Sequence, residues 1–222
     1  KTETISQILK ERYSVRSIDL IQPIPEDISL LLINGVEDSL NYDEKQNLEN
    51  FINKGGNLFL AQNRIKTDLS TQQANPIESD IFSIIKIFGL NIAPNLVLDQ
   101  NCGKVNVQQN LGFLRIPVPM DYPFLPIIKN ENFNSDISMV NSLESLRLMF
   151  PSEIIIEDTT STSNFTYLIS HLFTSSNRST TMEEFFNLSP DPEQNPSFKQ
   201  LNDDGKSLGI FVEKINKETN LT

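Results

Sequence analysis

From Asp27 to Asp68 the chain reads DISLLLINGVEDSLNYDEKQNLENFINKGGNLFLAQNRIKTD, and its apolar spacing changes character along the way. Ile28 to Ile33 is a nearly continuous Leu/Ile run, the pattern of a strand covered on both faces in a parallel sheet. Asn41 then stands where a side-chain oxygen can accept from the first turn of a helix, and Glu44, three residues on, can reach back to the Asn41 N–H. Leu48, Phe51 and Ile52 follow at helical spacing on one face. Gly55 and Gly56 stop the helix, because the left-handed backbone at its end is cheap only without a Cβ. Leu58 to Ala61 starts the next strand. Strand, loop, helix, Gly-Gly and strand predict a right-handed crossover joining two parallel strands.

The same reading extends along the chain. Glu3 to Arg12 puts Ile5, Ile8 and Leu9 on one helical face, and the β-branched stretch Val15 to Leu20 predicts a strand ended by Pro23 to Pro25. Thr67 to Ser79 is polar and proline-interrupted, which predicts a loop. A helix is expected over Asp80 to Phe88, with Asp80 as cap, Ile81, Ile84, Ile85 and Phe88 on one side, and Gly89 at the stop. Leu90 to Ile92 and Leu96 to Leu98 give a short edge and a strand. After Gly103, Val105 and Val107 alternate with Asn106 and Gln108, and Phe113, Leu114 and Ile116 follow a turn near Asn110 to Gly112, as in a hairpin. Pro117, Pro119, Pro123 and Pro126 then deny ladder donors and predict an extended crossing segment. Glu153 to Glu157, Phe165 to Phe173 and Ser207 to Ile215 are further strands. Thr174 to Thr181 reads as a solvated loop, and Lys214 to Thr222 as a frayed tail.

Together these elements predict one α/β domain over 1–222: a mostly parallel sheet flanked by helices. A crossover core covers 1–100, a β- and proline-rich insertion 101–152, and closing strands 153–222. With 222 residues the chain can bury about 70% of its unfolded surface and needs neither disulfide nor metal to fold. A net charge of −11 argues against nucleic-acid binding, since phosphate neutralisation needs clustered Lys and Arg. No apolar run is long enough to span a bilayer, and the start at Lys1 in place of Met points to a fragment of a longer, membrane-anchored protein.

Cys102 and His171 are the one thiol and the one imidazole, so a Cys-His nucleophilic pair is the sharpest enzymatic idea. Cys102 has no helix behind it to lower its pKa, only Gly103 and an alternating β segment. The expectation is a packed Cys102 and a strand-face His171. Asp203, Asp204 and Gly205 read as a turn, since the alternating oxygen ligands of a Ca²⁺ loop are missing. Gly55 and Gly56 end a helix, the reverse of a phosphate loop. Tyr122 and Phe124 can line a partner groove but more simply pack back onto the sheet. No catalytic, cofactor-binding or metal-binding residue is expected.

Several stretches carry a resemblance. Ile24 to Asn63, Phe88 to Val105 (FGLNIAPNLVLDQNCGKV), Met120 to Asn130 with Met149 to Ile154, His171 to Ser179 (HLFTSSNRS) and Lys206 to Ile215 (KSLGIFVEKI) are similar to the extracytoplasmic region of the auxiliary component of gliding-motility-type ABC transporters. The family's His-Pro near the segment written here ENFNSDIS is absent, so no ligand role is carried to Glu131 to Ser138. The resemblance implies an architecture like class I glutamine amidotransferases and domains of intraflagellar transport proteins. It also implies a non-enzymatic, periplasmic binding or assembly module. Its partners would be ABC transporter membrane subunits or other envelope proteins, with a polymeric or small ligand as a further option, and its membrane contact would run through flanking helices. Two alternatives remain open at this point: a Cys-His hydrolase or amidotransferase-like enzyme, and a solute-binding receptor with a concave polar pocket.

Overall fold

The crossover predicted around Asn41 is present. The computed structural model describes residues 2–111, 114–157 and 165–216. Helix α1 (Thr2–Lys10) is followed by β1 (Leu30–Asn34), α2 (Tyr42–Asn53) and β2 (Asn57–Ala61), and β1 and β2 pair in parallel with Leu32 opposite Phe59. Asn41 Oδ1 accepts from the Glu44 N–H at 2.9 Å, and the Asn41 N–H donates to Glu44 Oε2 at 2.7 Å, a complete capping box. At the other end Gly55 adopts φ +91° and the Gly56 N–H reaches the Phe51 carbonyl at 3.0 Å, closing the helix as a Schellman turn. A Cβ on Gly56 would meet the Phe51 ring. Leu48, Phe51 and Ile52 are buried, as their spacing predicts.

Elsewhere in this first unit the pattern is less faithful. Val15 to Leu20 forms no strand. The following backbone is tied to α2 through Asn47 Nδ2, which donates to the Leu20 and Ile21 carbonyls at 2.8 and 3.1 Å. The apolar face of α1 is not buried either, since Ile5 and Ile8 are exposed. The loop after β1 is fixed by Gln62, whose amide pairs with both the N–H and the carbonyl of Val36 at 2.7 and 2.9 Å.

Thr67 to Ser79, expected as a loop, contributes most of a hairpin of β3 (Ile65–Asp68) and β4 (Gln73–Pro76), turned by Gln72 at φ 54°. Ile65 anchors it in the core, and polar outer positions hid the strand alternation. Helix α3 (Ile81–Ile87) ends at Gly89, φ +72°. The chain divides into two compact units, Lys1–Gln62 with Glu78–Ile84 and the remainder, and the division falls within α3.

The second unit is built on β5 (Leu90–Ile92), β6 (Asn95–Asp99), β7 (Cys102–Leu111), β8 (Leu114–Lys129), β9 (Ser145–Arg147), β10 (Ile154–Ile156), β11 (Phe165–Thr174), β12 (Ser179–Glu183) and β13 (Ser207–Asn216). Pairing is antiparallel throughout: β5 with β10, β6 with β12, β11 with β13, and β7 with β8 with β9. The expected α/β architecture, a mostly parallel sheet flanked by helices in the manner of class I glutamine amidotransferases, is therefore wrong. Among the described residues β1 with β2 is the one parallel pair, and small antiparallel sheets make up the bulk of the fold. The physical reason lies in β6. Its run NLVLD is buried at all five positions, with Leu96 and Leu98 in one core cluster and Val97 in another. A continuous apolar run reports burial of both faces, and antiparallel strands between two core clusters satisfy it as well as parallel strands do.

The proline segment is the second correction. Pro117, Pro119, Pro123 and Pro126 all lie inside the 16-residue strand β8. Proline's φ is compatible with extended backbone, and the lost donor matters only where the ladder needs it. Tyr122 and Phe124, also in β8, are buried with Phe150 and Leu188, and Tyr122 donates to the Leu188 carbonyl at 2.8 Å. The partner-groove option for these two aromatics thus gives way to packing. Phe113 and the tail beyond Asn216 lie outside the described residues.

Candidate functional site

The strongest polar constellation sits where β6 ends. Among the described residues Asp99 is the one buried carboxyl, with no exposed surface. A fully buried strand that ends in Asp must find donors for it, since an unsatisfied carboxylate away from water is very costly. The donors come from the hydroxyl-rich stretch after β11. The Ser176 N–H reaches Asp99 Oδ2 at 2.6 Å and Ser176 Oγ reaches Oδ1 at 2.7 Å. The Asn101 N–H adds a bond to Oδ1 at 2.8 Å. Bonds to a charged acceptor contribute about 1.5–3 kcal/mol each.

Around this pair the serines are linked to one another. Ser175 Oγ donates to Ser179 Oγ at 2.9 Å and accepts from the Lys206 N–H at 2.7 Å. Ser179 Oγ reaches the Asp204 carbonyl at 3.2 Å, and Thr180 Oγ1 donates to Asp203 Oδ2 at 3.0 Å. The Asp203-Asp204-Gly205 turn therefore folds onto the serine cluster, and a Cβ at Gly205 would lie 2.7 Å from the Ser175 carbonyl oxygen. Thr174 to Thr181 is not the solvated loop its composition predicts: Ser175, Ser176 and Ser179 are buried, and Ser179 to Thr181 belong to β12. The sequence carried a signal for this in the buried run ending at Asp99, which demanded hydroxyl or amide partners somewhere. Which stretch supplied them depended on a contact 77 residues away.

The two residues of the alternative Cys-His pair lie on different strand pairs. Cys102 opens β7 opposite Pro126, while His171 lies exposed on β11, its Nδ1 2.9 Å from Ser207 Oγ. Burial, with the Asp121 charge second, pushes the Cys102 thiol up to about 11, and the backbone hydrogen bond from Tyr122, with Lys104 after it, only partly opposes this. A thiol is nucleophilic as its anion, so at pH 8 the reactive thiolate is a small minority of Cys102. Alkylation by iodoacetamide is accordingly expected to be slow at pH 8 and to rise steeply towards pH 11, followed by mass spectrometry. Fast alkylation at pH 7 would contradict this environment. Because the folded thiol pKa is raised, the associated stability is fully present below the ordinary thiol value of 9.0 and is lost as pH rises through the folded value of about 11. Burial pushes Tyr122 up to about 12, with the same sign.

No three of His, Cys, Asp and Glu gather in metal-binding proximity among the described residues. A depression of about 200 Å³ lies between Glu131–Asn134 and His171–Thr174, smaller than a usual small-molecule pocket. A second, of about 370 Å³, lies at Ser29 and Asn57 beside Gly55 and Gly56, away from the C-terminal ends of β1 and β2 where a crossover fold holds its ligand. No helix among the described residues is long and apolar enough to cross a membrane.

Comparison with known proteins gives three findings. The family model described as ABC-type uncharacterized transport system matches residues 1–216. No curated protein matches the chain. Among solved structures the chain is similar to the mmIFT52 N-terminal domain, with a TM-score of 0.51 and 11% identity, covering 80% of this chain and 67% of that one. At that identity the likeness concerns the fold alone. The Asp99 cluster joins three of the stretches that carry the family resemblance: Phe88 to Val105, His171 to Ser179 and Lys206 to Ile215.

Proposed function

The chain belongs to the family of ABC-type uncharacterized transport systems, and from that premise we propose that it is a non-catalytic module acting by protein contact on the extracytoplasmic face of the membrane. Its partners are the transporter's membrane subunits, in a gliding or secretion apparatus, with the parent protein anchored beside them. One observation carries this reading. Where three family-like stretches converge, the carboxylate of Asp99 and the hydroxyls of Ser175, Ser176 and Ser179 are all engaged in internal hydrogen bonds. The cluster holds strands together and leaves no activated group for turnover.

A surface suited to contact lies in the first unit. Leu30, Leu32 and Phe59 share one face of the β1–β2 pair and are 56%, 38% and 55% exposed. Parallel strands are ordinarily covered on both faces, and contiguous exposed apolar side chains mark interaction sites. The test is retention of purified, detergent-solubilised transporter membrane subunits on the immobilised protein. Leu32→Asp with Phe59→Asp is expected to lower retention about tenfold or more, equivalent to about 1.4 kcal/mol, while Cys102→Ala with His171→Ala leaves it unchanged. Unchanged retention by a folded Leu32→Asp, Phe59→Asp protein would overturn the reading.

A further inference from the structure

The β7–β8 hairpin carries a second surface, independent of the transport reading. Strand β9 pairs with β8 only at Ile127 to Lys129, so from Lys104 and Asp121 outward the hairpin is a two-stranded ribbon. Its two faces differ. Val105 and Val107 stand opposite Met120 and Val118, with Ile116 and Leu114 continuing the same face. Lys104, Asn106 and Gln108 stand opposite Asp121, Pro119 and Pro117 on the other, and Lys104 Nζ lies 3.3 Å from Asp121 Oδ1.

The prolines settle which backbone groups are unpaired. Pro117 and Pro119 have no N–H, so their rungs with Gln108 and Asn106 are the non-hydrogen-bonded ones of the antiparallel ladder. The N–H and carbonyl groups of Asn106 and Gln108 therefore point away from β8, out of the free edge of β7. That edge is terminal in its sheet, and no backbone bond to another strand covers it among the described residues. On the opposite edge of the ribbon the same prolines remove the donors at 117 and 119. One edge is blocked and the other is open.

We propose that the open edge of β7 pairs with the β7 edge of a second copy of this chain, antiparallel about a two-fold axis at Val107. In that register Asn106 exchanges hydrogen bonds with Gln108 of the second copy, and Gln108 with its Asn106, while the two Val107 residues meet on a non-hydrogen-bonded rung. The edge is self-complementary, as a two-fold interface requires. It is also electrostatically permissive: the chain has a net charge of −11, yet Cys102–Leu111 carries no carboxylate, and Lys104 falls opposite Asn110 of the second copy. A two-stranded ribbon is marginal alone, whereas pairing makes a four-stranded sheet with Val105, Val107, Val118 and Met120 of both copies on one face, Gln109 of each copy standing opposite Val105 of the other. Growth stops there, because each outer edge presents Pro117 and Pro119, the device that keeps edge strands from propagating. The arrangement is a closed dimer and not a filament.

Sedimentation across micromolar to millimolar concentration, on the wild type and Gln108→Pro, tests this. Proline at 108 removes an outward donor without touching a rung of the β7–β8 ladder, so the expected result is a wild-type dimer, a folded Gln108→Pro monomer and a Gln108→Ala dimer. Independently of that variant's folding, Val107→Cys in a Cys102→Ser background is expected to crosslink to a covalent dimer on mild oxidation. Cα atoms on such a rung are about 4.5 Å apart, within disulfide reach. Arg115→Cys in the same background, on the far strand, is expected to stay uncrosslinked. A wild type that remains monomeric, including one that instead takes up a strand from another protein, overturns the proposal. So does a dimer that persists in folded Gln108→Pro or fails to crosslink through Val107→Cys.

Discussion

Asp99→Ala is expected to lower the free energy of unfolding by about 4 kcal/mol, because it leaves the buried Ser176 N–H and Oγ without their acceptor and opens a cavity at the end of β6. In urea this appears as a large fall in the transition midpoint with little change of slope. Asp99→Asn keeps the volume and one acceptor oxygen but turns an amide N–H₂ towards a donor, so about half the loss is expected. A stability loss below about 1 kcal/mol in Asp99→Ala would mean that the cluster does not hold β6 to the stretch after β11, and that its groups are free for another role.

The second large effect is Phe124→Ala. Phe124 is fully buried, stacks on Phe150 at 5.9 Å and meets the Tyr122 and Phe198 rings edge-on at 5.2 and 5.6 Å. Removing it deletes the centre of an aromatic cluster that joins β8 to the stretches carrying Phe150 and Phe198. Phe→Ala in a well-packed core costs about 3–5 kcal/mol, and the three rings left around the site, Tyr122, Phe150 and Phe198, cannot readily collapse into the space. Calorimetric unfolding checks the loss, with Phe124→Leu expected to recover more than half of it. If Phe124→Ala were nearly neutral, the proline-bearing strand β8 would not be a core strand.

What the sequence made legible was local. The capping box at Asn41 and Glu44, the stripe of Leu48, Phe51 and Ile52, the Gly55 turn, and strands near 154–156, 165–174 and 207–216 all follow from spacing and short-range chemistry. Strand direction was not legible. The run at Leu96 to Leu98 shows that both faces are buried, but nothing in it records that its neighbour Ser179 to Glu183 runs the other way. The proline strand was misread for a related reason: a proline excludes a donor, and whether that donor was needed depends on which edge faces a partner. The Asp99 cluster was missed because a Ser/Thr-rich stretch looks solvated until a buried acceptor is placed beside it. Cys102 and His171, the two residues that composition singled out, sit on different strand pairs, β7 with β8 and β11 with β13.

Whether this module acts by contact or by chemistry is tested most directly by the transport-coupled ATPase rate of the transporter complex, reconstituted with wild-type protein or with Cys102→Ala, His171→Ala protein at equal occupancy. Equal rates are predicted. A rate lost in the double substitution while the folded protein keeps equal occupancy would contradict a non-catalytic role.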